Sequence, residues 1–177
     1  PGVQLELIKE IYKVNKNIVL VLMNGRPLTI SWEDEHLPAI LETWHCGSMA
    51  GHAIAKVLVG EYNPSGKLTM SFPKNVGQIP VYYNNKNTGR PSAGTNQVFY
   101  AHHTDVGNDP LYPFGYGLSY TQYKYSGLEI SENEIHIGDT LLVKVKVQNV
   151  GKVAGDEIVQ LYITDDFASV TSPKLAL

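Results

Sequence analysis

The chain has 177 residues, 43% of them hydrophobic and 18% charged, with a formal net charge of −3 at neutral pH. That composition belongs to a folded chain of one ordinary domain or two small ones and excludes a disordered protein. The mild acidity and the lack of a basic block argue against nucleic acid as a partner, and the longest apolar run, residues 18–23, is too short for a membrane span.

The first residue is Pro1, not Met, which reads as a piece of a longer protein. Residues 3–16 are expected to form a helix with Val3, Leu7, Ile11 and Val14 on one face, and Asn15 and Asn17 at its exit. Residues 18–23, continuous and β-branched, read as a strand buried on both faces, ended by Asn24-Gly25-Arg26-Pro27. Leu28-Thr29-Ile30 reads as a short extended piece and residues 33–37 as one helical turn, with Glu33-Asp34-Glu35 a solvated helix start. Residues 39–44 are expected as a second strand stopping at His45-Cys46-Gly47. A helix follows, with Ser48 as N-cap and Gly60 as the glycine that closes it. After the turn Tyr62–Lys67, residues 68–72 read as a strand stopped by Pro73. Helix, strand, strand, helix, strand is a piece of an α/β domain with a mainly parallel sheet, too short to supply all the neighbours that such a sheet needs.

Residues 73–109 read as a long irregular segment, rich in asparagine (Asn84, Asn85, Asn87, Asn96) and aromatics (Tyr82, Tyr83, Phe99, Tyr100). A loop of that length is usually functional or disordered, and the aromatics argue for function. Residues 110–120 read as a rigid joint: two prolines, two glycines, and Tyr112, Phe114, Tyr116 and Tyr120. Beyond it only strands are expected, at 123–131, 141–149 and 157–164, with turns at Gly138-Asp139 and Asn149–Lys152. Three such strands would open a β-sandwich.

Several groups invite chemistry. Gly60 to Lys67 fails as a phosphate loop, because five residues separate Gly60 from Gly66 and Leu68 stands where Ser or Thr is needed. His102-His103 with Asp105 lacks a further ligand at metal spacing. The neighbours His45 and Cys46 lack a third orienting group, and Cys46 reads as a small buried residue. Position says more. Asn24, Arg26, Trp44 and His45 all follow strands, and open α/β sheets bind ligands beyond the carboxyl ends of their strands. If the two strands are neighbours, these residues share a rim, where Trp44 either stacks on a sugar face or packs in an interface. Asn85 and Arg90 on the long loop complete the substrate-binding candidates. Arg90 either bonds paired hydroxyls or braces the loop. No carboxylate pair stands out as acid and base.

Tyr62-Asn63-Pro64-Ser65-Gly66-Lys67-Leu68 with Phe72-Pro73 resembles the family 3 glycoside hydrolases, of the β-glucosidase and β-xylosidase kind. So do Gly77-Gln78-Ile79-Pro80 running into Tyr82-Tyr83-Asn84, Asn87-Thr88-Gly89-Arg90-Pro91, and Leu111–Thr121. Asn149-Val150-Gly151 with Gly155–Tyr162 resembles the fibronectin type III-like domain that ends many members. The resemblance covers nearly the whole chain, departing at Trp44–Gly51, where Cys46 replaces a frequent proline, and at the tail, residues 172–177.

The resemblance implies a C-terminal fragment of a retaining, exo-acting enzyme. Residues 1–121 would be the end of its α/β sandwich domain and 122–177 the start of the fibronectin-like domain. It also implies no cofactor, no metal, a β-linked glucoside or xyloside as substrate, an upstream barrel domain as partner, and a periplasmic or secreted location. No catalytic residue is assigned, because the nucleophile motif has no counterpart here and the segment bearing the acid/base glutamate is expected before Pro1. The chain alone is expected to lack both catalytic carboxylates. Rival readings are a non-catalytic carbohydrate-binding or interaction module and, more weakly, a nucleotide-binding α/β protein.

Overall fold

The computed structural model describes residues 2–86, 90 and 99–177; the expectations for Pro1, Asn87, Thr88, Gly89, Pro91 and Asn96 lie outside the described residues. The chain divides into two compact units, Pro1–Ile54 with Leu68–Tyr116 and Gln160–Leu177, and Ala55–Lys67 with Gly117–Val159.

The first unit holds helix α1 (Val3–Val14), strand β1 (Val19–Leu22), helix α2 (Ser31–His36) and strand β2 (Ala39–Glu42). The helix α3 (Ala50–Leu58) begins there and runs into the second unit. α1 ends where the asparagines indicated, with the Asn15 N–H on Ile11 O and the Asn17 N–H on Asn15 Oδ1. Its inward face is not the expected one. Leu5, Ile8 and Tyr12 are half-buried, while Val3, Leu7, Ile11 and Val14 are exposed, Val14 at 87%. The helix carries two apolar rows, and periodicity alone cannot say which one faces the chain. Tyr12 meets Trp32 and His36 edge-on, anchoring α1 on α2.

β1 and β2 pair in parallel, Val19 opposite Ala39 through Leu22 opposite Glu42. Full burial of β1 does not follow, since Val19 is 52% exposed, as two strands alone leave much of each strand uncovered. Residues 28–30 are irregular, although Ile30 is buried.

Residues 68–72 form no regular strand but lie against 111–116. The Leu68 N–H donates to Tyr116 O and the Phe72 N–H to Tyr112 O, the Gly115 N–H donates to Leu68 O and the Leu111 N–H to Phe72 O. Phe72, 1% exposed, is the most buried large side chain described and packs on Tyr112 and Trp44. The Phe114 N–H donates to Ser71 Oγ, and Tyr83 stacks on Phe114 at 4.3 Å. Gly115 has φ of 79°, and a Cβ there would sit 2.0 Å from Gln160 Oε1, so only glycine fits. This part of the joint is therefore a paired element, not a free connector.

The second unit is built on the antiparallel pair β3 (Tyr123–Ile130) and β4 (Val143–Asn149), with a register shift between Ser126 and Glu129. Turns fall where expected: Gly60 has φ of 78° after α3 and Gly138 has φ of 98°. Asn63 is its polar hub, donating to Ala154 O and accepting from Ser119 Oγ and the Tyr120 N–H. The expected third strand at 157–164 is not regular; its one bridge joins Ile163 to Ala176. Alternating apolar residues predict a strand only where a partner edge is present, and among the described residues none pairs along 157–162.

Candidate functional site

Because β1 and β2 are parallel and in register, their carboxyl ends finish at one level. Beyond them lie Asn24-Gly25-Arg26 and Thr43-Trp44-His45. Both the Thr43 N–H and its Oγ1 hydroxyl donate to Leu22 O, at 3.0 and 2.8 Å, and hold the second turn to the end of β1. Asn24, Trp44 and His45 are thereby brought together. His45 leans on Gly25: its Nε2 lies 2.5 Å from where a Gly25 Cβ would be. Arg26 is exposed, and its carbonyl accepts from Asn24 Nδ2 at 2.8 Å.

Trp44 is half-buried with φ of 52°, the left-handed region, which is costly for a bulky residue. Its N–H donates to Glu42 Oε1 at 2.8 Å, and its ring packs tilted on Phe72. Glu42 was not singled out by the sequence. Burial pushes its carboxyl above the usual carboxylate range, against the opposing pull of the Trp44 N–H, the Asn24 side chain and the Thr43 N–H. Among the described residues, Glu42 Oε2 and Asn24 Oδ1 are buried without a hydrogen-bond partner. The available signal was a carboxylate inside an otherwise apolar strand, next to its carboxyl end. Cys46 is exposed rather than buried and donates to Thr43 O at 3.2 Å, because the turn carries it past the packed strand.

The loop candidates are not joined to this rim by any hydrogen bond or ring contact among the described residues. Asn85 O accepts the Lys174 N–H, and Arg90, exposed, has its carbonyl bonded by the Ala101 N–H. The two ends of the long loop are tied to each other. Gln78, 2% exposed, donates to Gly107 O and Asp109 O and accepts the Lys74 N–H; Asn75 donates to Asp105 Oδ2. That anchor was also missed, since a glutamine in a Gly-Gln-Ile-Pro run gives no sign of burial.

The weaker candidates find other employment. Lys67 donates to Gly117 O at 3.0 Å and pairs with Glu157 at 3.2 Å. His102 Nδ1 contacts Tyr100 O, and Asn108 ties the backbone of Ala101 and His103. Among the described residues no group of three His, Cys, Asp or Glu is placed to hold a metal.

Residues 1–120 match the Glycosyl hydrolase family 3 C-terminal domain. The chain is 48% identical to a β-xylosidase of Formosa agariphila, aligned over 96% of this chain and 22% of that protein. It is 47% identical to a periplasmic β-glucosidase of Salmonella typhimurium, over 98% and 23%. The structure of a Listeria innocua β-glucosidase in complex with glucose superposes with a TM-score of 0.91 at 42% identity, covering 99% of this chain and 24% of that one. The chain thus spans about a quarter of the length of the curated relatives it matches.

Proposed function

Given that the chain belongs to glycosyl hydrolase family 3, as its match to that family's C-terminal domain shows, we propose that it is the C-terminal part of a retaining, exo-acting β-glucosidase-like enzyme acting on β-linked glucosides or xylosides. It contributes scaffold and part of a sugar subsite. Retention needs two carboxyl groups about 5 Å apart, and in this reading both come from other parts of the enzyme, the nucleophile from a barrel domain.

The observation that carries the reading is the rim of Asn24, Trp44 and His45 at the carboxyl ends of a parallel pair, the ligand side of open α/β sheets. The Trp44 ring offers an apolar face to a sugar, and Asn24 and His45 offer hydrogen bonds to its hydroxyls. Asn85 and Arg90 belong to the same subsite through the long loop. Residues 1–121 then close the α/β domain and 122–177 open a fibronectin type III-like domain, a division supported by the family match ending at residue 120 and by β3 starting at Tyr123. A periplasmic or secreted location is supported by the Salmonella relative's name.

In the full-length enzyme, Trp44→Ala is expected to lower kcat/KM for an aryl β-glucoside about 10-fold or more, with the melting temperature moved by only about 2 °C. Normal kinetics with a lowered melting temperature would make Trp44 an interface residue and refute the subsite. The isolated 177 residues are expected to show no hydrolysis above a buffer blank; turnover that copurifies with them would contradict the assignment of the carboxylates.

A further inference from the structure

Trp44 and Glu42 form a local device that the subsite reading leaves unexplained. A tryptophan at φ of 52° holds its conformation only when neighbours over-determine it. Here three bonds do so: Thr43 N–H and Oγ1 to Leu22 O, and Trp44 N–H to Glu42 Oε1. The first two fix where the turn begins. The third acts on Trp44 itself, and it comes from a side chain whose second oxygen is buried and unpartnered. On the β1 side Asn24 Oδ1 is equally stranded, while Asn24 Nδ2 is committed to Arg26 O. Among the described residues both turns thus carry a buried acceptor without a donor.

We propose that Glu42 is the positioning residue of the rim: its Oε1 holds the Trp44 N–H in the left-handed turn and so sets the direction in which Trp44 leaves the sheet. The inference rests on the rim being the substrate-facing side.

The test is a set of variants of the full-length enzyme assayed on an aryl β-glucoside. Glu42→Gln keeps an acceptor oxygen for the Trp44 N–H and is expected to keep kcat/KM within about 3-fold of the parent. Glu42→Ala removes that acceptor and is expected to lower kcat/KM about 10-fold or more. In a Trp44→Ala background the same Glu42→Ala change is expected to add less than about 2-fold, because its effect passes through Trp44. Should the alanine variant not accumulate, Glu42→Met, of similar length but unable to accept the Trp44 N–H, replaces it in each comparison. A glutamine variant as impaired as the alanine one, or an alanine variant with unchanged kinetics, overturns the proposal while Trp44→Ala alone still reports on the rim. If Trp44→Ala leaves the kinetics unchanged, it is the substrate-facing reading that fails.

Discussion

The two paired-strand regions treat their buried polar groups in opposite ways. Around β3 and β4 the polar groups out of water are matched: buried Asn63 meets three partners, buried Thr121 donates from Oγ1 to Asn149 Oδ1 at 2.7 Å, and Lys67 faces Glu157 with both side chains 14% exposed. At the carboxyl ends of β1 and β2 two acceptors have no donor among the described residues, and a tryptophan sits in left-handed backbone. Saturated networks make a region rigid and replaceable only as a whole. Unsaturated and strained positions cost stability and persist where they do something besides hold the fold. The contrast agrees with the proposed division into scaffold and subsite.

The strongest way to break the comparison is at the ion pair. Lys67→Met leaves Glu157 without its cation in a half-dry setting and is expected to lower stability by about 3 kcal/mol, with the folded fraction keeping its kinetics. Denaturant titration and a glucosidase assay on the same preparation of the full-length enzyme check this, and a kinetic defect without lost stability would erase the distinction. Arg90→Ala should act the other way, lowering kcat/KM several-fold at nearly constant melting temperature. If the melting temperature falls and the kinetics hold, Arg90 is a brace and the loop joins the scaffold. The smallest effect sharpens the contrast through pH. Burial holds the folded-state pKa of Glu42 above its ordinary value of 4.5, against three hydrogen bonds that pull it down. The folded protein therefore binds that proton more tightly than the unfolded chain, so the associated stability is complete below the unfolded value and is lost as pH rises through the raised one. Glu42→Gln cannot titrate, and its stability relative to the parent should grow as the pH rises above about 4.5. Parallel melting curves across that range would count against a raised carboxyl.

Much of this was legible before any coordinates. Asn15 and Asn17 marked the end of α1, Gly60 the end of α3, and the β-branched run gave β1 within a residue at either end. The rim was legible too, because strand ends carry it and a parallel pair brings Asn24 beside the turn after Glu42. Other features were not, for reasons that are non-local. α1 has apolar residues at 5, 8 and 12 as well as at 3, 7, 11 and 14, and only packing chooses between rows. Residues 157–164 alternate like a strand, yet alternation does not supply a partner edge. Glu42 and Gln78 were not singled out, because burial of a polar side chain depends on what closes over it from elsewhere in the chain, as the Gly107 and Asp109 carbonyls do over Gln78.

Gly25 has a further consequence. The volume a side chain there would claim is filled by the imidazole of His45, and the glycine's backbone is not in the left-handed range that other residues avoid. The reach of His45 from the sheet is thus written as a missing methyl. It is adjustable in steps of one carbon from a position whose own conformation asks nothing of the residue placed there. Among related chains, or in a designed series, residue 25 would serve as a dial on the reach of His45 while the strands beneath stayed as they are.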